Sequence, residues 1–103
     1  MVRFLVLYDT PSDTAAFERH YHEVHVPLAK ELPGLRRYTV SRDTTVIRGG
    51  VPFYLVAELE WETMDDLRAA FGSPQGRATA ADVAELASDG SVRSMIFEVE
   101  EIV

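Results

Sequence analysis

The chain contains no cysteine among its 103 residues. Disulfide scaffolds, iron–sulfur clusters, cysteine-ligated zinc and thiol nucleophiles are therefore excluded. No window approaches 18 consecutive apolar residues, and the N-terminal stretch has neither the apolar region nor the cleavage site of a signal peptide. We expect a soluble cytoplasmic protein with no membrane partner.

Basic charge is also scarce, with 10 Lys and Arg against 17 Asp and Glu, a net charge of −7. Such a surface repels a phosphate backbone, which argues against nucleic acid as a partner. The sequence also lacks a Walker loop, a GxGxxG run, a GxSxG elbow and an EF-hand loop. No cradle for a nucleotide or flavin is visible, and we predict no cofactor.

Hydrophobic residues make up 47% and charged residues 26% of the chain, as in globular proteins. The length fits one domain, predicted to span residues 1–103. Runs rich in apolar and β-branched residues predict four strands. These strands are predicted over Val2–Tyr8, Leu35–Ile47, Phe53–Trp61 and Val92–Val103.

Helical spacing predicts a first helix over Thr14–Leu32, with a core-facing stripe of Phe17, Tyr21, Val24 and Leu28. Pro27 cannot donate to the Glu23 carbonyl, so we expect a kink near Glu23–Val26. A second helix opens at Thr63 and restarts at Ser73-Pro74, where a capping residue precedes a proline. Asp89-Gly90 is predicted to form a turn before the last strand.

The predicted order is βαββαβ, an α+β arrangement of the ferredoxin-like type with a four-stranded antiparallel sheet. Both helices would cover one face of that sheet. The strands also offer apolar side chains to the other face. In the third strand Leu55 and Val56 point to opposite faces, and Tyr54 is predicted on the same face as Val56. A second copy of the sheet is the simplest cover, so we predict a homodimer with a pocket between sheet and helices.

All three histidines lie in one run, His20, His22 and His25. On a regular helix His25 borders the apolar face beside Tyr21, and His20 flanks that face from the other side. A metal site is disfavoured because the HExxH pattern is absent. A histidine at the edge of an apolar face suits acid–base chemistry, although it could equally bond a backbone carbonyl at the Pro27 kink.

Aromatic side chains are the other candidates for a ligand site. A tyrosine has an apolar body and a polar tip, which suits a pocket for a flat organic molecule, although ordinary core packing is the alternative for each of them. The substrate-binding candidates are Tyr8, Tyr38, Tyr54 and Trp61.

Two runs of the sequence resemble the signatures of the EthD family, within the dimeric α+β barrel superfamily. The first is FERHYHEVHVPLAKELPGLRRYTV, through His25, Pro27, Leu28, Pro33, Gly34 and Leu35. The second is AFGSPQGRATAADVAELA, through Ser73, Pro74, Gly76 and Asp82. The resemblance implies ferredoxin-like subunits that pair through their sheets. It makes His25 the first candidate for a functional residue, followed by Tyr21 and His20.

The superfamily that the sequence resembles includes cofactor-independent monooxygenases, cyclases, isomerases and haem-degrading enzymes. We therefore expect a cofactor-independent oxygenase, isomerase or cyclase that acts on an apolar or aromatic metabolite, with His25 as acid or base. The alternatives are a binding or carrier protein for a hydrophobic metabolite or haem, and a structural dimer with a vestigial pocket. Fold alone does not decide between these functions.

Overall fold

Four strands form one antiparallel sheet in the computed structural model, which describes residues 1–88 and 90–103. The strands are β1 (Val2–Tyr8), β2 (Arg37–Val40), β3 (Leu55–Trp61) and β4 (Val92–Glu98). Their order across the sheet is β2-β3-β1-β4, and the two central strands are the most apolar ones. This confirms the ferredoxin-like α+β prediction.

The helices cover one face of this sheet, and side-chain caps mark where they begin. Asp13 accepts from the Ala16 N–H at the first helix, and Thr63 and Ser73 do the same for the two helices after β3. The helices are α1 (Thr14–His20), α2 (Val26–Ala29), α3 (Met64–Gly72) and α4 (Pro74–Leu86). Between α1 and α2 the backbone forms one π-helical turn, Tyr21–His25, which we call the π segment.

The core lies between the sheet and these helices. Val6 and Tyr8 of β1 and the alternate residues Leu55–Trp61 of β3 point into it, and Tyr21 and Trp61 are fully buried. The Trp61 indole N–H donates to the Pro33 carbonyl at 2.9 Å. That bond holds Pro33-Gly34 in place after the helical region. Gly34 has a φ of 72° there, a backbone conformation that favours glycine.

Two predicted strands are shorter in the structure. The predicted Leu35–Ile47 strand is a strand only over Arg37–Val40, with one more backbone bond at each end, from Arg36 to Glu60 and from Ser41 to Val56. Beyond these, Asp43 adopts a left-handed backbone (φ 52°) that ends the extended conformation. The predicted Val92–Val103 strand ends at Glu98, the partner of Val2, and one further backbone bond runs from the Val99 N–H to the Met1 carbonyl. Of the predicted Asp89-Gly90 turn, Asp89 lies outside the described residues.

The first helix also departs from its predicted boundaries. It ends at Ala29 rather than Leu32, because the next bonds, from Glu31 to Leu28 and from Leu32 to Ala29, span only three residues. Tyr54 precedes β3, and its ring packs edge-on against Phe17 at 5.5 Å between centroids. It therefore lies on the helix side, and its predicted placement beside Val56 was wrong.

Candidate active site

The kink predicted at Pro27 takes the form of the π segment. The Val26 N–H donates to the Tyr21 carbonyl, five residues earlier, and Pro27 follows with no N–H to offer Glu23. A π turn holds one more residue than an α turn, so the face presented after it shifts by about one position. Val24, predicted to face the core, is 42% exposed, whereas His25 is only 5% exposed.

The same turn brings His20 and His25 to one carboxylate. On a regular helix, residues five apart point about 140° away from each other. Here the Nε2 atom of His20 lies 2.9 Å from Oδ1 of Asp82, and Nδ1 of His25 lies 2.9 Å from Oδ2. Asp82 is 8% exposed, so both bonds are shielded from bulk water on the carboxylate side.

Asp82 is held in place by the way α4 begins. Ser73 caps the helix through the Gly76 N–H, and Gly76 packs tightly against the end of α3. A Cβ atom at residue 76 would lie 2.2 Å from the Ala70 carbonyl oxygen, so only glycine permits this approach. The short sequence Ser73-Pro74-x-Gly76 thus sets the path of α4, which packs on the π segment and α2.

The hydrogen bond that His25 donates to Asp82 decides which nitrogen of the ring is free. A carboxylate accepts, so Nδ1 of His25 carries the proton and Nε2 keeps its lone pair. Burial lowers the pKa of His25 below its ordinary value, and the Asp82 carboxylate offsets part of that effect. His25 is therefore a neutral imidazole at neutral pH, with Nε2 left for a ligand.

A cavity of about 450 Å³ between the sheet and the helices is lined by His25. Apolar side chains make most of its wall, among them Phe4 and Val6 of β1, Leu59 of β3 and Val83 of α4. The polar groups are few: His25, the phenols of Tyr8, Tyr21 and Tyr38, and the hydroxyls of Thr79 and Ser94. A largely apolar cavity with a few placed polar groups is typical of sites for small organic ligands.

Tyr21 and Tyr38 form a phenol pair at this cavity, with 2.6 Å between their hydroxyl oxygens. Tyr21 is fully buried, and a bond donated by its O–H to Tyr38 gives that buried hydrogen a partner. Tyr38 is only partly buried and keeps its own O–H for a ligand. Burial raises the pKa of Tyr21, of Tyr38 and of Tyr8, so all three are neutral hydroxyls at neutral pH.

The remaining candidates lie elsewhere. Trp61 is buried under Phe71 and does not line the cavity. Tyr54 donates to Glu18 at 2.6 Å, and Glu18 also lies 3.2 Å from His22. These three side chains line a separate cleft of about 720 Å³ beside the β2–β3 loop. The structure thus brings together Tyr8, Tyr21, His25 and Tyr38 at the cavity, with His20 behind them, and separates Tyr54 and Trp61 from them.

Asp82 is the site residue that the candidates from the sequence left out. It was visible only as a position in the second EthD-like run, because on the alanine-rich helix it lies to one side of the small-residue stripe. Among the described residues no three His, Asp or Glu side chains are arranged to hold a metal ion. None of the helices in the described part of the chain is long and apolar enough to span a membrane.

Comparison with known proteins assigns this architecture to a family of ferredoxin-like α+β proteins. Residues 10–90 match the model of the EthD domain, and the chain belongs to the EthD family. An uncharacterised 11.0 kDa protein encoded between thcB and thcC in Rhodococcus erythropolis is 37% identical over 103 residues, covering 100% of this chain and 98% of that protein.

Solved structures agree with this assignment. An ethyl tert-butyl ether D (EthD) family protein from Bacillus halodurans C-125 superposes with a TM-score of 0.88 at 33% identity, covering 97% of this chain and 99% of that one. SnoaB, a cofactor-independent oxygenase from Streptomyces nogalater, superposes with a TM-score of 0.66 at 20% identity, covering 99% and 95% of the two chains. At that identity the likeness to SnoaB concerns the fold.

The phenol pair yields a test of the site's internal bonding. Tyr38→Phe leaves the buried Tyr21 hydroxyl without a partner and is expected to lower the free energy of unfolding by about 1–3 kcal/mol. Tyr21→Phe costs less, about 0.5–1.5 kcal/mol, because Tyr38 can bond water in the cavity. The double variant should be no less stable than Tyr38→Phe alone. Urea unfolding of the four proteins measures this, and strictly additive losses would show that the two hydroxyls are not coupled.

Proposed function

We propose that this EthD-family protein is a cofactor-independent enzyme acting on an apolar or aromatic metabolite with an acidic C–H bond. His25 is the general base. The observation that carries the proposal is the hydrogen bond that Nδ1–H of His25 donates to Asp82, which leaves Nε2 as a lone-pair acceptor on a ring that lines an apolar cavity. An imidazole oriented by a buried carboxylate is an arrangement that enzymes use for general-base catalysis.

The other groups at the cavity suit the anion that proton removal creates. Tyr38 retains an O–H because Tyr21 donates to its oxygen, and that O–H can donate to an oxygen of the substrate. Tyr8 is a second neutral phenol in the same wall. A carbanion conjugated with a carbonyl or phenol carries its charge on oxygen, where these donors stabilise it.

Proton removal is the step that oxygenation, isomerisation and ring closure share. In an oxygenase of this kind the substrate itself supplies the electrons: a CH2 group and O2 give a ketone and water. SnoaB, a cofactor-independent oxygenase on a similar fold, supports this as the leading reaction type. An isomerase would return the proton to another atom of the same substrate, and a cyclase would use the carbanion to form a ring.

A panel of polycyclic aromatic compounds with an activated CH2 group tests the activity, with oxygen uptake and product mass as the readouts. His25→Gln is expected to lower turnover at least about 100-fold while ligand affinity by calorimetry stays within a few-fold, because Gln lacks a base. His22→Gln is the matched control, since His22 is exposed in the same segment and lies outside the cavity. Full turnover in His25→Gln would overturn the assignment of the base.

The same assay predicts a direction for the pH profile. A base acts only when unprotonated, so turnover should fall as the pH drops through the pKa of His25. Because burial lowers that pKa from the ordinary 6.5, the fall is expected at more acidic pH than for an exposed histidine. A profile that rises as pH falls would indicate an acid rather than a base.

A carrier of a hydrophobic metabolite or of haem is the second candidate, and the same apolar cavity is the observation that favours it. A carrier binds compounds of the panel without turnover, and its binding is unchanged in His25→Gln. Haem bound through Nε2 of His25 would give a Soret shift in the wild type that is absent in His25→Gln. That result would replace the cofactor-independent proposal.

We also propose that two copies pair through the sheet face opposite the helices. Leu5, Leu7, Val56, Met95 and Phe97 lie on this face, which we call the outer sheet face. Met95 is 48% and Phe97 36% exposed, an apolar exposure that a partner would remove. Arg3 with Glu58 and Glu60 adds both signs of charge to the same face, which suits pairing with a copy of itself. Dimeric ferredoxin-like proteins from Thermobifida fusca and Jannaschia sp. CCS1 share the fold.

Light scattering after gel filtration tests the pairing. The wild type is expected at twice the chain mass of 11.5 kDa, and Leu5→Glu at the monomer mass, because it places a negative charge opposite Glu58 and Met95 on the outer sheet face, where pairing would bury it. Val51→Glu is the control, since Val51 is 85% exposed on the β2–β3 loop. A wild-type monomer at micromolar concentration would refute the proposal.

A further inference from the structure

His20 and His25 share the two oxygens of one carboxylate but differ in their surroundings. The side chain of His25 is 7% exposed and faces the cavity, whereas that of His20 is 32% exposed. Asp82 therefore stands between a ring that meets the ligand and a ring that meets water. The geometry places an exchangeable proton on each side of a single buried negative charge.

One carboxylate neutralises one imidazolium, not two. With both rings protonated, Asp82, His20 and His25 together carry a net positive charge in a poorly solvated place. With one ring protonated, in either position, the three side chains are neutral overall. Protonation of one ring therefore opposes protonation of the other, and the two rings titrate as a coupled pair.

We infer that His20 is a positioning residue whose charge is coupled through Asp82 to that of His25, so that a proton taken up by His25 at the cavity is matched by one that His20 releases to solvent. The C–H proton of the substrate goes to Nε2 of His25. When His20 begins as the imidazolium, it loses its Nδ1 proton to water and keeps the Nε2–H bond to Asp82. In that case no net charge is added to the three side chains. The coupling is independent of any reaction, but its role in turnover rests on the proposed function.

The groups around the pair do not supply a competing charge at the cavity. The other titratable side chains in the described cavity wall are Tyr8, Tyr21 and Tyr38, which are neutral phenols where histidines titrate. On the solvent side, Arg19 and Glu23 flank the rings on their own element and Glu85 follows Asp82 by one turn of α4, and all three are exposed. Water screens their charges more than that of Asp82.

The proposal is tested by titrating the histidine rings by NMR, which needs no substrate. The protein has three histidines, so single variants assign every signal. His20→Gln keeps an N–H donor for Asp82 but removes the charge. It should raise the pKa of His25 and turn a broadened wild-type curve into an ordinary single-site curve. His22→Gln should leave the curve of His25 as in the wild type.

An identical His25 curve in the wild type and in His20→Gln would overturn the coupling. If His20→Gln does not fold, His20→Ala decides, because it also removes the charge that opposes protonation of His25. In His20→Ala the ring of His25 should likewise take up its proton at higher pH than in the wild type, and an unchanged curve would again refute the proposal. Absence of turnover in the substrate panel would refute the proposed function and leave this result standing.

Discussion

The carboxylate of Asp82 accepts hydrogen bonds from two imidazole rings of one backbone segment. The chemical properties of the cavity depend on these two bonds. Without Asp82, the nitrogen of His25 that meets a ligand would not be fixed. The contact depends in turn on backbone geometry at both ends: the π segment turns His25 inward, and the close approach at Gly76 brings α4 against it. A proline after a helix turn and a glycine at a helix junction thus bring the imidazole of His25 and the carboxylate of Asp82 together.

The phenols complete the site, and burial determines their hydrogen bonding as well. A buried hydroxyl must have a partner, and Tyr21 has one in Tyr38. That bond consumes the donor of Tyr21 and leaves the donor of Tyr38 for the cavity. The cavity therefore combines an acceptor, Nε2 of His25, with a donor, the O–H of Tyr38. This is the polarity that a proton-abstracting site needs, since the proton and the developing charge go to different atoms.

The order of helices and strands along the chain, the caps at Thr63 and Ser73 and the inward residues of β3 could be predicted from the sequence, because alternation and capping are local properties. A kink at Pro27 could also be predicted, but not its π form. An ideal helix therefore points Val24 into the core, where the structure has His25, and it points His20 and His25 away from each other. Asp82 lies 57 residues or more further along the chain and contacts the two histidines only because α4 packs against them. No local sequence pattern encodes that packing. Trp61, a ligand-binding candidate from the sequence, lies in the core behind the cavity wall, and aromatic character alone does not distinguish these two places.

The central claim is that Asp82 fixes the proton of His25 on Nδ1 and leaves Nε2 open to the cavity. The tautomer of a neutral histidine is read directly from the ¹⁵N chemical shifts of its two ring nitrogens in a long-range ¹H–¹⁵N correlation spectrum. At a pH where His25 is neutral, the structure predicts a protonated Nδ1 and an unprotonated Nε2. A spectrum that places the proton on Nε2 would contradict the bond to Asp82 and remove the base from the cavity.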